Sequence, residues 1–339
     1  MANKRFGATA AWFAALYAGL VVLPFLLSYS QQEILVLLVI NILVVASYRL
    51  LTLTGEWSLG HVVIMGVGAY ASALLTKRLG VPVPISMVLG ACTAGIVAWL
   101  LSFPLFRMKG FYFLIGSFAA GEIIRLLWKR FREPFGGPKG LKRIDGFPNI
   151  DLGFVHIDFF DPIPYYYLCL IVVSASLWIL WRLERSPIGL TFHAIHWQDN
   201  LAESVGVNSW RYRTLAFVTA SFFAGLAGAL YAHYVGTINP NRFSVEEMVF
   251  VLTWAIVGGT ATLYGPIMGV VVLTFLNEVV LRSLNEYSQS ALGFGTEELR
   301  PLVFGLILIC SVMFLPKGLE SLVPKVREAL SRRRMAARA

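Results

Sequence analysis

Ten stretches of this 339-residue chain are apolar enough, and long enough, to sit in hydrocarbon. They fall at about residues 8–28, 32–53, 57–76, 82–106, 110–128, 162–182, 212–235, 246–259, 266–282 and 299–316. A bilayer core offers the backbone no water, so each run must bond its own N–H and C=O groups, and a helix does that. The expected fold class is an all-α polytopic membrane protein of about ten transmembrane helices, some short or broken. Ten spans is the central reading; the eighth and ninth runs, joined by "GGTATLYGP", have one interrupted hairpin as the alternative, with nine or eight spans as the fallback. Composition agrees: 14% of residues are charged, where a soluble domain has about a quarter. Lys4 and Arg5 before the first run resemble a signal peptide. That run is longer than a usual h-region and no small-x-small site follows it, so it reads as a retained span.

The net charge of +9 lies in loops and in the tail "PKVREALSRRRMAARA", with no aromatic-interleaved patch. That favours contact with anionic membrane lipid and no nucleic acid. Cys92, Cys169 and Cys310 all fall inside apolar runs and read as small buried hydrophobes, without metal or disulfide spacing. With an even span count both termini share one side, together with Arg49, Arg107, Lys109 and the Arg182–Arg213 segment. The positive-inside rule makes that side the cytoplasm. The organisation is then a single transmembrane domain over 1–339, with a cytoplasmic segment at 183–210, an extracytoplasmic loop at 129–161 and a basic cytoplasmic tail at 317–339.

"SPIGLTFHAIHWQDNLAESVG", residues 186–206, is too polar to span yet patterned as a helix. Ser186 suits the N-cap, Pro187 the first turn, and Gly206 the end. At about 100° per residue, Ile188, Phe192, Ile195 and Ala202 share one apolar seam. Leu190, Ala194, Trp197 and Leu201 form a second on nearly the opposite face, with His193, His196, Asn200 and Glu203 between them. A helix lying on lipid needs one apolar face; two imply that it is held between its own bundle and something else.

Four further stretches stand out. In "GEWSLGHVVIMGVGAYASALL", Ser58, Gly60, His61, Gly66, Gly68 and Tyr70 sit on a small-residue surface. Such a surface serves either close helix packing or a cavity wall. Glu122, an acid inside a span, is a functional candidate by default, but Arg125 one turn on makes a helix-surface ion pair the simpler account. Gly258, Gly259, Tyr264, Gly265 and Pro266 interrupt an apolar region and suit a hairpin turn or a gate. "EPFGGPKGLKRIDGF", with Gly136, Gly137 and Gly140, lacks the spacing of a phosphate loop.

The chain also lacks a Walker motif, a nucleophile elbow, a His-Glu-x-x-His and paired catalytic carboxylates. It reads as a pathway whose motor is another chain. An ion-coupled secondary transporter, the rival from another class, would need intramembrane acids in symmetry-related halves, and Glu122 alone is thin support.

"SLGHVVIMGVGAY" resembles the "LSLGHAAFFGIGAY" type of stretch in LivM-type permease subunits of branched-chain amino acid ATP-binding cassette importers. "GEIIRLLW", "RSPIGLTFHAI", "RYRTLAFVTASFFAGLAGALYAHYVG" and "VGGTATLYGPIMGV" resemble that family's segments in the same order, over about residues 38–316. The resemblance implies an importer permease fold whose Ser186–Gly206 segment docks on an ATPase subunit. Pro187, Ile188, Gly189, Phe192, Ala194, Ile195, Ala202, Glu203 and Gly206 would be its residues. It further implies a homologous second permease (LivH-type), two ATPase subunits, and a periplasmic or lipid-anchored substrate-binding protein. That protein would meet the outer loops, for which Gly136, Gly137 and Gly140 are candidates. ATP and Mg would be bound by the partner subunits, so no cofactor is expected in this chain, which would lie in a bacterial inner membrane. The implied cargo is leucine, isoleucine and valine; similar permeases serve urea, short amides or other amino acids. The chain departs from the family pattern at His196-Trp197, where charged residues are usual, at Glu203, where small ones are, and at Ala261, where glycine is frequent.

Overall fold

The computed structural model describes residues 19–151, 156–277, 300–314 and 318–321. Five helices precede the polar segment: α1 (Tyr29–Thr52), α2 (His61–Leu79), α3 (Val83–Leu105), α4 (Phe111–Arg130) and α5 (Pro162–Glu184). The segment itself holds α6 (Pro187–Trp197) and α7 (Asp199–Ser204). α8 (Ser209–Val235), α9 (Val245–Gly258), α10 (Tyr264–Phe275) and α11 (Arg300–Phe314) follow. α1 to α5 and α8 are long and apolar enough to cross a membrane. A helix therefore stands in each of the nine runs from residue 32 onward. The first run falls mostly outside the described residues. Its described end is held to α5, where the Tyr166 and Tyr167 hydroxyls donate to the Leu20 and Val21 carbonyls at 2.9 and 2.6 Å. The tail, apart from 318–321, also lies outside them.

α8 is the central post, packed against α1, α2 and α3. In hydrocarbon there is no hydrophobic drive between helices, so close van der Waals contact decides which of them associate. Glycine makes the contact close here. A Cβ on Gly68 would fall 2.3 Å from the Gly225 backbone, and one on Gly228 would fall 2.0 Å from the Met65 carbonyl oxygen. The outward faces of α3 and α4 keep Ile85, Ile96, Trp99, Phe111 and Ile123 exposed, as a lipid- or partner-facing surface requires.

The eighth and ninth runs hold two helices. α9 and α10 pack antiparallel, with Gly258 against Gly265 and Gly269 against the Trp254 carbonyl. At 14 residues, α9 is about 21 Å long, short of the roughly 30 Å hydrocarbon core. At the opposite end, the loop after α4 is tied down. β1 (Leu141–Lys142) pairs antiparallel with β4 (Thr237–Ile238), and β2 (Ile150–Asp151) with β3 (His156–Ile157). His233 of α8 adds a contact from Nδ1 to the Asp145 carbonyl oxygen at 2.6 Å.

Candidate functional site

The polar segment is two helices, where its pattern predicts one. Ser186 caps α6, its Oγ accepting from the Gly189 amide at 3.4 Å, and Pro187 occupies the first turn. Gly189 has no alternative: a Cβ there would lie 2.0 Å from the Glu184 carbonyl oxygen. The helix breaks at Gln198, whose backbone is non-helical. Asp199 then opens α7, placing its charge at the positive end of a new helix dipole. Despite the break, the two seams keep opposite environments. Phe192, Ile195 and Ala202 are buried against the bundle, Phe192 edge-on to Tyr212. Leu190, Leu201 and Val205 are exposed, and Trp197 is 79% exposed. A patch of large apolar side chains on a polar segment marks a surface for contact with another protein or with the membrane.

Two ion-pair clusters bolt this segment to the spans. Arg49, at the end of α1 and 1% exposed, grips Glu184 through both guanidinium ends at 2.6 and 2.8 Å. Its remaining donors reach the Thr260 and Ala261 carbonyls in the α9–α10 turn at 2.9 and 3.1 Å. Glu320 holds the same turn from the other side, accepting from the Ala261 and Thr262 amides at 2.9 Å each. A carboxylate just ahead of α10 also suits the helix dipole. One cation and one anion thus cradle a five-residue turn, and the cation is shared with the residue that leads into α6.

In the second cluster Arg213 of α8 joins Glu56 at 3.2 Å to Asp199 at 3.1 Å, and Lys109 reaches Asp199 at 2.9 Å. Glu56 lies in the turn between α1 and α2, outside the spans. Burial pushes its carboxyl up from 4.5 to about 7, opposed in part by Arg213 and reinforced by the charge of Asp199. An acid with a raised folded pKa takes up a proton on folding. Its stabilising share is full below the unfolded value and is lost as pH climbs through the folded one. The melting temperature of the solubilised chain should therefore fall between about pH 5 and pH 8 by a few degrees more than that of Glu56→Gln. Parallel profiles would show that Glu56 does not titrate in that window.

The sequence candidates separate on this frame. Ser58, Gly60, His61, Gly66, Gly68 and Tyr70 are all buried in helix contacts. Gly60 abuts the Ser117 carbonyl, His61 bonds Ser47 at 3.0 Å, and Tyr70 stacks on Trp128 at 4.5 Å. Of their two sequence readings, the packing one describes these surroundings. Glu122 forms an ion pair with Arg125 on the same face of α4, the simpler of its two accounts. Gly258, Gly259, Gly265 and Pro266 build the α9–α10 turn, while Tyr264 is exposed beside it. Gly136, Gly137 and Gly140 have positive φ, and a Cβ on Gly140 would meet the Ile238 carbonyl oxygen at 1.9 Å. They shape the loop, and its exposed residues there are Pro138 and Lys139. Among the coupling candidates, Ile188 is half-buried, while Pro187, Ala194, Glu203 and Gly206 are exposed.

Sequence reasoning missed Glu56, Glu184 and Glu320 and used Arg49 and Arg213 only for orientation. Each is a charge at the margin of an apolar run. That is the available signal, but the partners Arg49 and Glu184 lie 135 residues apart in the chain.

This helical membrane domain, whose two-faced polar segment is bolted by buried charges to the α9–α10 turn, is by family a permease subunit. The chain belongs to the family described as the branched-chain amino acid transport system permease component, whose profile matches residues 31–312. It is similar to LivM, the high-affinity branched-chain amino acid transport system permease protein of Escherichia coli (strain K12). Identity is 28% over 334 residues, 93% of this chain and 75% of that protein. LivM of Salmonella typhimurium (strain LT2) is 30% identical over 80% of this chain and 68% of its own length. LsrC of Photorhabdus laumondii, an autoinducer 2 import system permease protein, is 26% identical over 84% of this chain and 82% of its own. No solved structure matches the chain.

Proposed function

We propose that this chain is one of two permease subunits of an ATP-binding cassette importer for leucine, isoleucine and valine. Two separate ATPase subunits, which bind ATP and Mg, drive it, and a substrate-binding protein feeds it from outside. The observation that carries this reading is the opposed burial of the polar segment: Phe192, Ile195 and Ala202 in, Leu190, Trp197 and Leu201 out. The exposed face enters a groove of the ATPase, which puts this end of the bundle on the cytosolic side of a bacterial inner membrane; the positive-inside rule assigns the chain termini to the same side. The binding protein seats at the far end, on the loop that carries Pro138, Lys139 and Phe160.

A partner can shift the permease only if it binds two of its states unequally. The Arg49 cluster supplies the connection that makes this possible: movement of α6 displaces Glu184, and with it the turn held by Thr260 and Ala261. The cargo reading rests on the family and on the LivM relatives.

The test is affinity purification of the tagged chain from its native membrane, followed by uptake in proteoliposomes. Two Walker-motif ATPases and a second permease should co-purify, and ATP should drive uptake of leucine, isoleucine and valine once the operon's binding protein is added. Isolation of the chain alone, still moving solute down an ion gradient, would overturn the importer reading. Uptake of autoinducer 2, urea or amides in place of leucine would overturn only the cargo.

A further inference from the structure

Between α1, α9 and α10 lies a cavity of about 280 Å³, with a narrow extension inward beside α2 and α8. α1 and α9 meet at the Arg49–Thr260 contact, and the cavity opens along the rest of the pair, from Asn41 and Trp254 to Ile34 and Glu247. The volume is at the small end for ligand pockets and suits one small metabolite.

Ile34, Leu37 and Leu38 of α1 and Leu273 of α10 supply an aliphatic side. Arg242, Glu247 and Trp254 face the α1 wall, with Phe250 beside them, while Asn41 ends the α1 wall and Thr274 of α10 and Asn277 just beyond it add polar groups. Asn41 is the one polar residue in the stretch Ile34–Ala46, and a polar group at that depth marks a functional surface more often than a packing one. The Trp254 indole N–H is buried and donates to no described residue, an unmet donor beside an open volume. Arg242 and Glu247 form an ion pair with side chains 42% and 25% exposed. Arg242 also lies over the Tyr231 ring, 5.5 Å from its centroid.

We infer that this cavity is a binding site within the permease for a zwitterionic aliphatic α-amino acid. Arg242 receives the carboxylate and Glu247 the ammonium, while the side chain lies along Ile34, Leu37 and Leu38. The inference rests on the amino-acid cargo proposed above and gives it residues. A zwitterion brings two charges that lose water together, and each needs a partner of opposite sign. A preformed Arg–Glu pair offers both with no net charge added to the site. A half-exposed pair is itself worth little, so it opens cheaply to admit the ligand between its ends. Arg242 presents the planar fork that matches a carboxylate, and the unmet Trp254 donor lies on the same side. An uncharged solute gains nothing from either residue.

The test uses the whole transporter in nanodiscs without its binding protein, titrated with tritiated leucine. Arg242→Gln and Glu247→Gln should each weaken leucine binding roughly tenfold or more, and Asn41→Leu should weaken it as well. Leucinol, which lacks the carboxylate, and 4-methylpentanoate, which lacks the ammonium, should compete poorly. The double variant Arg242→Glu with Glu247→Arg separates ligand from scaffold. A pair that merely pins the Pro240–Phe243 turn is rebuilt by the swap, whereas a ligand-holding pair is left with its poles reversed. Binding should stay weak in the swap while the melting temperature recovers. Leucine affinity unchanged in both single variants, or fully restored by the swap, would overturn this site and leave the importer reading standing. An unaltered complex that neither binds nor imports leucine would overturn the cargo reading and this inference together.

Discussion

Arg49→Met is expected to destabilise the solubilised protein by about 3–5 kcal/mol, because it strands Glu184 without its cation. The guanidinium makes four hydrogen bonds to three residues in two parts of the chain: Glu184, and Thr260 with Ala261. Removing it orphans a carboxylate and two carbonyls at once. A buried pair is a poor source of net stability, since desolvation takes back much of the Coulomb gain, but breaking one side is costly. That asymmetry yields the control. Arg49→Met combined with Glu184→Leu removes both charges and should regain a large part of the loss, whereas Glu184→Leu alone leaves the cation stranded. Denaturant or thermal unfolding in one detergent, across the three variants, measures it. A double variant no better than Arg49→Met would show that the two carbonyl contacts, and not the ion pair, hold this end together.

The second large effect is functional and leaves the fold alone. Trp197→Asp with Leu201→Asp should abolish ATP-driven uptake while expression, insertion and melting temperature stay near wild type. Both side chains are exposed, so the bundle does not need them, and a large aromatic at an interface centre is worth about 2 kcal/mol or more, roughly thirtyfold in affinity. Phe192→Asp is the counter-case. Phe192 is fully buried, and a carboxylate there disrupts the anchoring of α6 on the bundle, so it should lower stability before it touches docking. Uptake at wild-type level in the Trp197 and Leu201 variant, with ATPase still co-purifying, would remove this face from the interface.

Much of this was legible in the residues, and the limits have physical causes. The nine runs from residue 32 onward became helices because a bilayer permits little else, and the boundaries of α3 and α5 fall within about two residues of the apolar runs. The two seams of the 186–206 segment survived because side-chain period is local. Its break at Gln198 was not legible: Asp199 is drawn to Lys109 and Arg213, one before and one after it in the chain, and no periodicity encodes that pull. The small-residue face around Gly66 and Gly68 was legible as either a packing surface or a cavity wall. What approached it, Trp128, Phe243 and Gly225, came from elsewhere in the chain.

The sequence by itself therefore determined the class of fold, the helices and the two-faced segment, since each depends on solvent and on neighbours a few residues away. Tertiary structure alone decided which charges meet. Arg49 with Glu184 and the 260–261 turn, Glu320 with 261–262, and Arg213 between Glu56 and Asp199 are partnerships across tens to hundreds of residues. The cavity beside Arg242 and Glu247 is decided the same way, by how α1, α9 and α10 are set beside one another. Low-dielectric surroundings make such pairings strong, and only packing brings the partners within reach.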